Sequence, residues 1–199
     1  ILDQATNEDE PFYYEISAND IDSDELSFSV EEVDHADVSI SGQTLSINPD
    51  ENYNGTLIIN ISVSDGEFSD TESFILNIIP VNDPPSISEI ENQYSAEDEV
   101  FTIDIFISDI DGDELSFWAE DVSNALLDID GDQLAVTPNQ NWFGQLDISI
   151  IVTDGEYFGS ETFLLEIAPV NDAPELSHID SQNIDEDQIF SYNIIAEDV

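Results

Sequence analysis

Neither lysine nor arginine occurs in the 199 residues, against 48 aspartates and glutamates and a formal net charge of −48. Their absence excludes binding to a nucleic-acid phosphate backbone, which needs cationic side chains to release counterions. It also removes every Lys or Arg salt bridge. Like charges about 5 Å apart repel by roughly 1 to 3 kcal/mol at surface-like dielectric, so a compact fold with this balance calls for cations from outside. Cysteine is absent too, which removes disulfides, thiolate metal sites and thiol redox chemistry. No apolar run reaches membrane-spanning length and no signal peptide is present. No window keeps a convincing helical period.

What is present is a packed core's worth of apolar residues, 40% of the chain, well above the content of a disordered acidic tail. Two readings of the charge stand side by side. One is a solvated acidic surface, as in a protein adapted to high salt. The other is a subset of carboxylates, clustered and repeated in register, that binds a divalent metal.

A unit repeats every 89 residues without a gap. EDEPFYYEISANDIDSDELSF at residues 8–28 returns as EDEVFTIDIFISDIDGDELSF at residues 97–117, and EDQIFSYNIIAED opens a third copy at Glu186. SDGE at residues 64–67 returns as TDGE at residues 153–156, and PVNDPP at Pro80 as PVNDAP at Pro169. Such self-similarity marks a tandem array, so fold and function are read per repeat. The chain also begins and ends inside a repeat, as a segment cut from a longer array would.

Period-two patterning dominates each copy. TLIINISVSD (56–65) points Leu57, Ile59, Ile61 and Val63 inward, and QLDISIIVTD (145–154) does the same with Leu146, Ile148, Ile150 and Val152. SFILNII and TFLLEIA follow, with LSFSV, TLSIN and QLAVT as shorter strands, separated by Ser-Gly, Asn-Gly and Asp-Gly turns. About seven short strands per repeat imply an all-β fold of tandem, Ig-like, Greek-key antiparallel sandwiches. Phe12, Phe28, Tyr53, Phe74, Phe101, Phe117, Trp142 and Phe163 are expected in the cores. Residues 1–80 and 86–169 are the expected repeats, the first with an incomplete N-terminal strand, and residues 175–199 the start of a third. Residues 81–85 and 170–174 are proline-stiffened linkers, too short and rigid to be flexible tethers. They are expected to hold successive sandwiches end to end.

A seven-strand sandwich puts alternate loops at opposite ends. Asp20, Asp22, Asp24 and Asp65 then gather at one end of the first repeat, and Asp109, Asp111, Asp113 and Asp154 at that end of the second. Glu8 and Asp9 fall at the far end of the first repeat, near Asn82 and Asp83, where the second repeat's aspartates would meet them. Glu97, Asp98, Asn171, Asp172 and Asp198 belong to the next such junction. Six carboxylates at the complete junction (Glu8, Asp9, Asp83, Asp109, Asp111, Asp154) match the charge of about three Ca²⁺, and hard oxygen ligands suit Ca²⁺ better than Mg²⁺.

The order ED, DxDGD, xDG and VNDxP resembles the calcium-binding pattern of cadherin repeats, and more closely that of cadherin-like repeats in large microbial surface proteins. The resemblance covers essentially the whole chain. It implies about two to three Ca²⁺ per junction, stiffening a rod. By position it assigns Glu8 and Glu97, helped by Asp9 and Asp98, to the family's early glutamate, and Asp20, Asp22, Asp109 and Asp111 to its DxD pair. Asp65 and Asp154 take the aspartate before the last strand, and Asn82-Asp83 and Asn171-Asp172 the linker element. The animal DxNDN linker is reduced here to VND and proline, and the LDRE element is replaced by Pro49-Asp50-Glu51-Asn52 and Pro138-Asn139-Gln140-Asn141.

Other motifs carry less. DIDGDEL opens like an EF-hand loop, but Glu114 stands where that loop needs Gly, and strand rather than helix follows. Nothing singles out two of the acids as a glycosidase pair. His35 and His178 occupy different places in the repeat and read as surface residues. Asn54-Gly55-Thr56 and Asn60-Ile61-Ser62 are glycosylation sequons that the second repeat lacks. The expected function is a calcium-rigidified spacer or stalk of an extracellular, cell-surface adhesin, partnered by adjacent repeats of its own polypeptide, and not an enzyme. One alternative is a self-associating extracellular filament. Another is an adhesive module recognising sugar or protein, for which Trp118, facing Ser29 in the other copy, is the one hint.

Overall fold

The computed structural model describes residues 1–22 and 25–197, so the expected ligands Asp24 and Asp198 lie outside the described residues. The chain divides into two compact units, Ile1–Asp83 and Pro84–Val199. No helix occurs among the described residues, and none is long and apolar enough to cross a membrane.

In the first unit, seven strands follow in order: β1 (Gln4–Asn7), β2 (Phe12–Glu15), β3 (Ser27–Val30), β4 (Ala36–Ser41), β5 (Thr44–Pro49), β6 (Gly55–Ser64) and β7 (Ser69–Ile79). They form a four-stranded sheet, β1-β7-β6-β3, and a three-stranded sheet, β2-β5-β4. Alternation decides which side chains go between them. Leu57, Ile59 and Ile61 of β6 are buried with Leu45, Ile47, Phe74, Leu76 and Ile78, while their neighbours point out. Burying a set of this kind contributes about 25 cal/mol per Å² of apolar surface. Phe12, Phe28 and Tyr53 pack on this core, as the sequence leads one to expect.

The second unit repeats the plan with β8 (Ser86–Ile87), β9 (Gln93–Ala96), β10 (Phe101–Asp104), β11 (Ile107–Ser108), β12 (Ser116–Ala119), β13 (Ala125–Asp130), β14 (Gln133–Pro138), β15 (Gly144–Thr153) and β16 (Phe158–Ala168). Its sheets are β12-β15-β16-β9 and β10-β14-β13. Leu146, Ile148, Ile150, Val152, Phe163, Leu165 and Ile167 are buried, and Phe101, Phe117 and Trp142 pack against the core they build. The short strands β17 (Glu175–Leu176) and β18 (Ala196–Glu197) pair beyond it, in the places that β8 and β11 hold one repeat earlier.

One departure from a purely antiparallel sandwich recurs. β1 runs parallel to β7, and β9 parallel to β16. Each opening strand caps the edge of the last long strand, which would otherwise expose unpaired backbone groups. A second difference separates the repeats. A Cβ at Gly159 would fall 2.2 Å from the Pro85 carbonyl oxygen, so glycine there lets the segment leading into β8 lie against β16. Asp70 holds that place in the first unit.

Candidate metal-binding carboxylates

Parallel pairing of the opening strand buries a glutamate. Glu8 follows β1 and Glu97 follows β9, each continuing the ladder by donating its N–H, to Ile79 and to Ala168, at 2.9 Å. Both side chains are among the least exposed in the chain, at 3% and 4%. Each turns one carboxylate oxygen back on the strand end it has just paired with. Val81 N–H donates to Glu8 Oε1 at 2.5 Å, and Val170 N–H to Glu97 Oε1 at 2.6 Å.

The second oxygens differ. Asn54 Nδ2 donates to Glu8 Oε2 at 3.3 Å. In the second repeat Phe143 stands where Asn54 does, and Glu97 Oε2 is buried with no hydrogen-bond partner. A buried anionic oxygen without a donor costs several kcal/mol unless a cation compensates it. No Lys or Arg exists to do so. The donor set therefore fits a hard, oxygen-seeking cation.

Asp9 and Asp98 have a different local role. Both adopt the left-handed backbone region, with φ of 58° and 60°, which Asp and Asn tolerate better than other side chains with a Cβ. Their Oδ1 atoms accept the N–H of Asn52 and of Asn141, at 2.9 and 3.0 Å. Those asparagines are left-handed as well, at 57° and 55°. Asn52 and Asn141 thus persist between copies to close this loop pair, a role invisible to spacing. Near Glu8, Asp83 brings a carboxylate oxygen within 4.8 Å of the Glu8 carboxylate. The linker asparagines fold locally: Asn82 Nδ2 donates to the Asp83 carbonyl at 3.4 Å, and Asn171 Nδ2 to the Asp172 carbonyl at 2.8 Å.

At the other end of the second unit, the DIDGD loop wraps its own first carboxylate. Asp109 Oδ1 accepts the N–H groups of Asp111, Gly112 and Asp113 at 2.9, 3.0 and 3.2 Å. Gly112, at φ 79°, permits the bend. The wrap gathers carboxylate oxygens of Asp109, Asp111 and Asp113 within 4.8 Å of one another, and Asp109 Oδ2 is buried without a hydrogen-bond partner. Asp154 Oδ1 accepts from Glu156 N–H at 2.6 Å and Tyr157 N–H at 2.7 Å. In the first unit, Asp20 accepts from Asp22 N–H at 2.8 Å, and Asp20 and Asp65 line one cavity of about 630 Å³. The N–H groups of Phe68 and Glu67, at 2.6 and 2.7 Å, hold the Asp65 carboxyl below its ordinary value. His35 sits at a left-handed turn stacked on Tyr53, with ring centroids 4.5 Å apart, and Asn124 takes its place in the second copy. It is a turn residue.

The family profile for the bacterial Ig domain matches residues 2–77 and again 82–164. The chain belongs to the bacterial Ig domain family. Its two matched domains are tandem Ig-like sandwiches. No curated protein matches the chain. Among solved structures, human protocadherin-24 EC1-2 is similar at 14% identity and a TM-score of 0.46, over 79% of this chain and 88% of that one. Mouse cadherin-23 EC22-24 is similar at 16% identity and a TM-score of 0.45, over 73% and 53%. An endo-fucoidan hydrolase of glycoside hydrolase family 107 aligns over 85% of this chain at 14% identity and a TM-score of 0.38, and the chain spans 28% of its length.

Proposed function

We propose that these bacterial Ig domains form a calcium-rigidified spacer or stalk segment of an extracellular, cell-surface adhesin. The observation that carries this reading is Glu97, a buried carboxylate with one oxygen bonded to Val170 N–H and the other without a donor, in a chain that has no Lys or Arg. Ca²⁺ supplies there what the polypeptide lacks, a divalent charge that accepts six to eight oxygen ligands. At the repeat boundaries it would be held by Glu8, Asp83 and the linker Asn82, with Asp109, Asp111, Asp113 and Asp154 of the following repeat. Glu97, Asn171 and Asp172 serve the next boundary in the same way.

These residues act as clamps and not as catalysts. Without cation, clustered carboxylates repel across each boundary and it hinges. With cation, ordering and binding are one event, because the ligand groups come from segments that only the folded repeats bring close. Millimolar extracellular calcium keeps sites of about 10⁻⁴ M affinity occupied, which agrees with an extracellular role. Isothermal titration of chelator-stripped protein with CaCl₂ tests the reading. Saturable binding of two or more ions is expected, and an absence of binding up to 10 mM (about a hundred times that affinity) would refute it.

A further inference from the structure

A second surface, away from the carboxylates, distinguishes the two repeats. On the outer face of the β12-β15-β16 sheet, Trp118 lies across from Ile151, and Phe158 across from Thr153. The Trp118 and Phe158 rings meet edge to face, with centroids 6.3 Å apart at 85°. They are 42% and 66% exposed. Their inward neighbours Phe117, Ile150 and Val152 already serve the core or pack on it, so the outward rings are not needed to fill it. The first repeat has the same strands in the same register, yet presents Ser29, Ser62 and Ser69 at these three places. At three neighbouring outward positions the second repeat therefore carries Trp, Ile and Phe where the first carries serine.

We propose that this face of the second repeat, centred on Trp118 and Phe158, is a binding platform for a neutral glycan. Flat aromatic faces stack against the C–H face of a pyranose ring, an apolar surface whose burial is favourable. Hydroxyls stand beside them to exchange hydrogen bonds with the sugar. Ser149 and Thr162 bond each other at 2.9 Å, which uses one of their two protons and leaves the other for a ligand, and Ser160 lies next to Ile151. These six side chains carry no charge, in a chain with 48 acids and no Lys or Arg. That balance repels sulfated or uronic-acid sugars and offers them no cationic partner. Size also separates a glycan from a protein. The two rings expose about 250 Å² at that accessibility, enough for one or two sugar rings and far short of the roughly 800 Å² per partner in a stable protein interface. A second copy of this chain would bring its own large negative charge.

The test is a glycan array probed with the intact chain, in calcium and again in chelator, because strand pairing alone holds the platform. The comparison is the W118S/I151S/F158S variant, which installs the first repeat's own serines in a sheet known to accept them. Wild type is expected to bind neutral glycans in both buffers, and the variant to bind at least about tenfold more weakly. Adding S29W/S62I/S69F to that variant is expected to restore binding from the first repeat. No neutral glycan bound by wild type, or equal binding by the triple-serine variant, overturns the proposal. A wild type that dimerises by sedimentation while the variant stays monomeric also overturns it, in favour of a protein contact. Calcium binding itself does not depend on these residues, so loss of the stalk reading would leave this result intact.

Discussion

Val170 donates its backbone N–H to Glu97 Oε1 at 2.6 Å, across 73 residues of sequence. Val81 makes the same bond to Glu8 at 2.5 Å. The bond ties the turn after the opening strand to the chain leaving the last one, and fixes a carboxylate where each linker begins. It needs an acceptor but no charge, which separates its structural part from its metal part. Glu97→Gln keeps the acceptor and removes the charge. In chelator its melting temperature is expected at or above that of wild type, and the rise on adding CaCl₂ is expected to shrink. Glu97→Ala loses the acceptor too and should cost about 1 to 3 kcal/mol in both buffers. Scanning calorimetry with and without chelator distinguishes them.

Phe143 occupies the place from which Asn54 serves Glu8. Phe143→Asn offers Glu97 Oε2 a donor at the loss of a side chain that is mostly exposed. The metal-free protein should gain about 1 kcal/mol, the usual worth of such a bond, read by urea denaturation in chelator. A loss of stability would show that Oε2 is compensated in another way.

Asp111 lies in the gathered Asp109 loop, whereas Asp128 is an exposed acid on β13. Both substitutions to Asn remove one negative charge. Asp111→Asn should weaken calcium binding about tenfold or more, and Asp128→Asn should leave it within about twofold, a gap of at least roughly 1 kcal/mol by titration calorimetry. Equal effects would mean that calcium responds to bulk charge alone.

Asp65 carries a pH dependence with a defined direction. Donation from Phe68 and Glu67 N–H holds its carboxyl below the ordinary value of 3.8. A depressed folded value means that its contribution is fully present above about pH 4 and is lost as pH falls through the folded value. NMR titration of the Asp65 carboxyl should show a midpoint below 3.8, and Asp65→Ala should flatten acid unfolding in that window. A midpoint at or above the ordinary value would contradict the hairpin's two bonds.

Much of this was readable from the residues. The strands β6 and β15 carry four alternating apolar side chains each, and both fall within one residue of the expected spans. β4 and β13 were harder. ADVSIS and ALLDID alternate only half-buried residues against exposed ones, and ALLDID carries aspartates outward, so neither declares itself beside the richer strands. The parallel pairing of β1 with β7 depends on contacts 72 residues apart, such as Gln4 with Leu76, and no local pattern encodes it. The burial of Glu8 and Glu97 follows from that pairing. Sequence marked them as repeated acids but did not show that they are buried, while Asp9 and Asp98 sit in left-handed turns with Oδ1 bonded to Asn52 and Asn141. The Asn54-to-Phe143 exchange was equally visible as letters. Its meaning required knowing which oxygen faced it.

Small-angle scattering and thermal melting of the 199-residue chain, in calcium and in chelator, bear most directly on calcium as the stiffener of this array. At a hundred times the dissociation constant, a ligand that binds only the folded form adds about 2.7 kcal/mol, so calcium should raise the melting temperature by several degrees. The same addition should narrow the distribution of interdomain distances. Scattering curves and melting temperatures that are unchanged by chelator would contradict it.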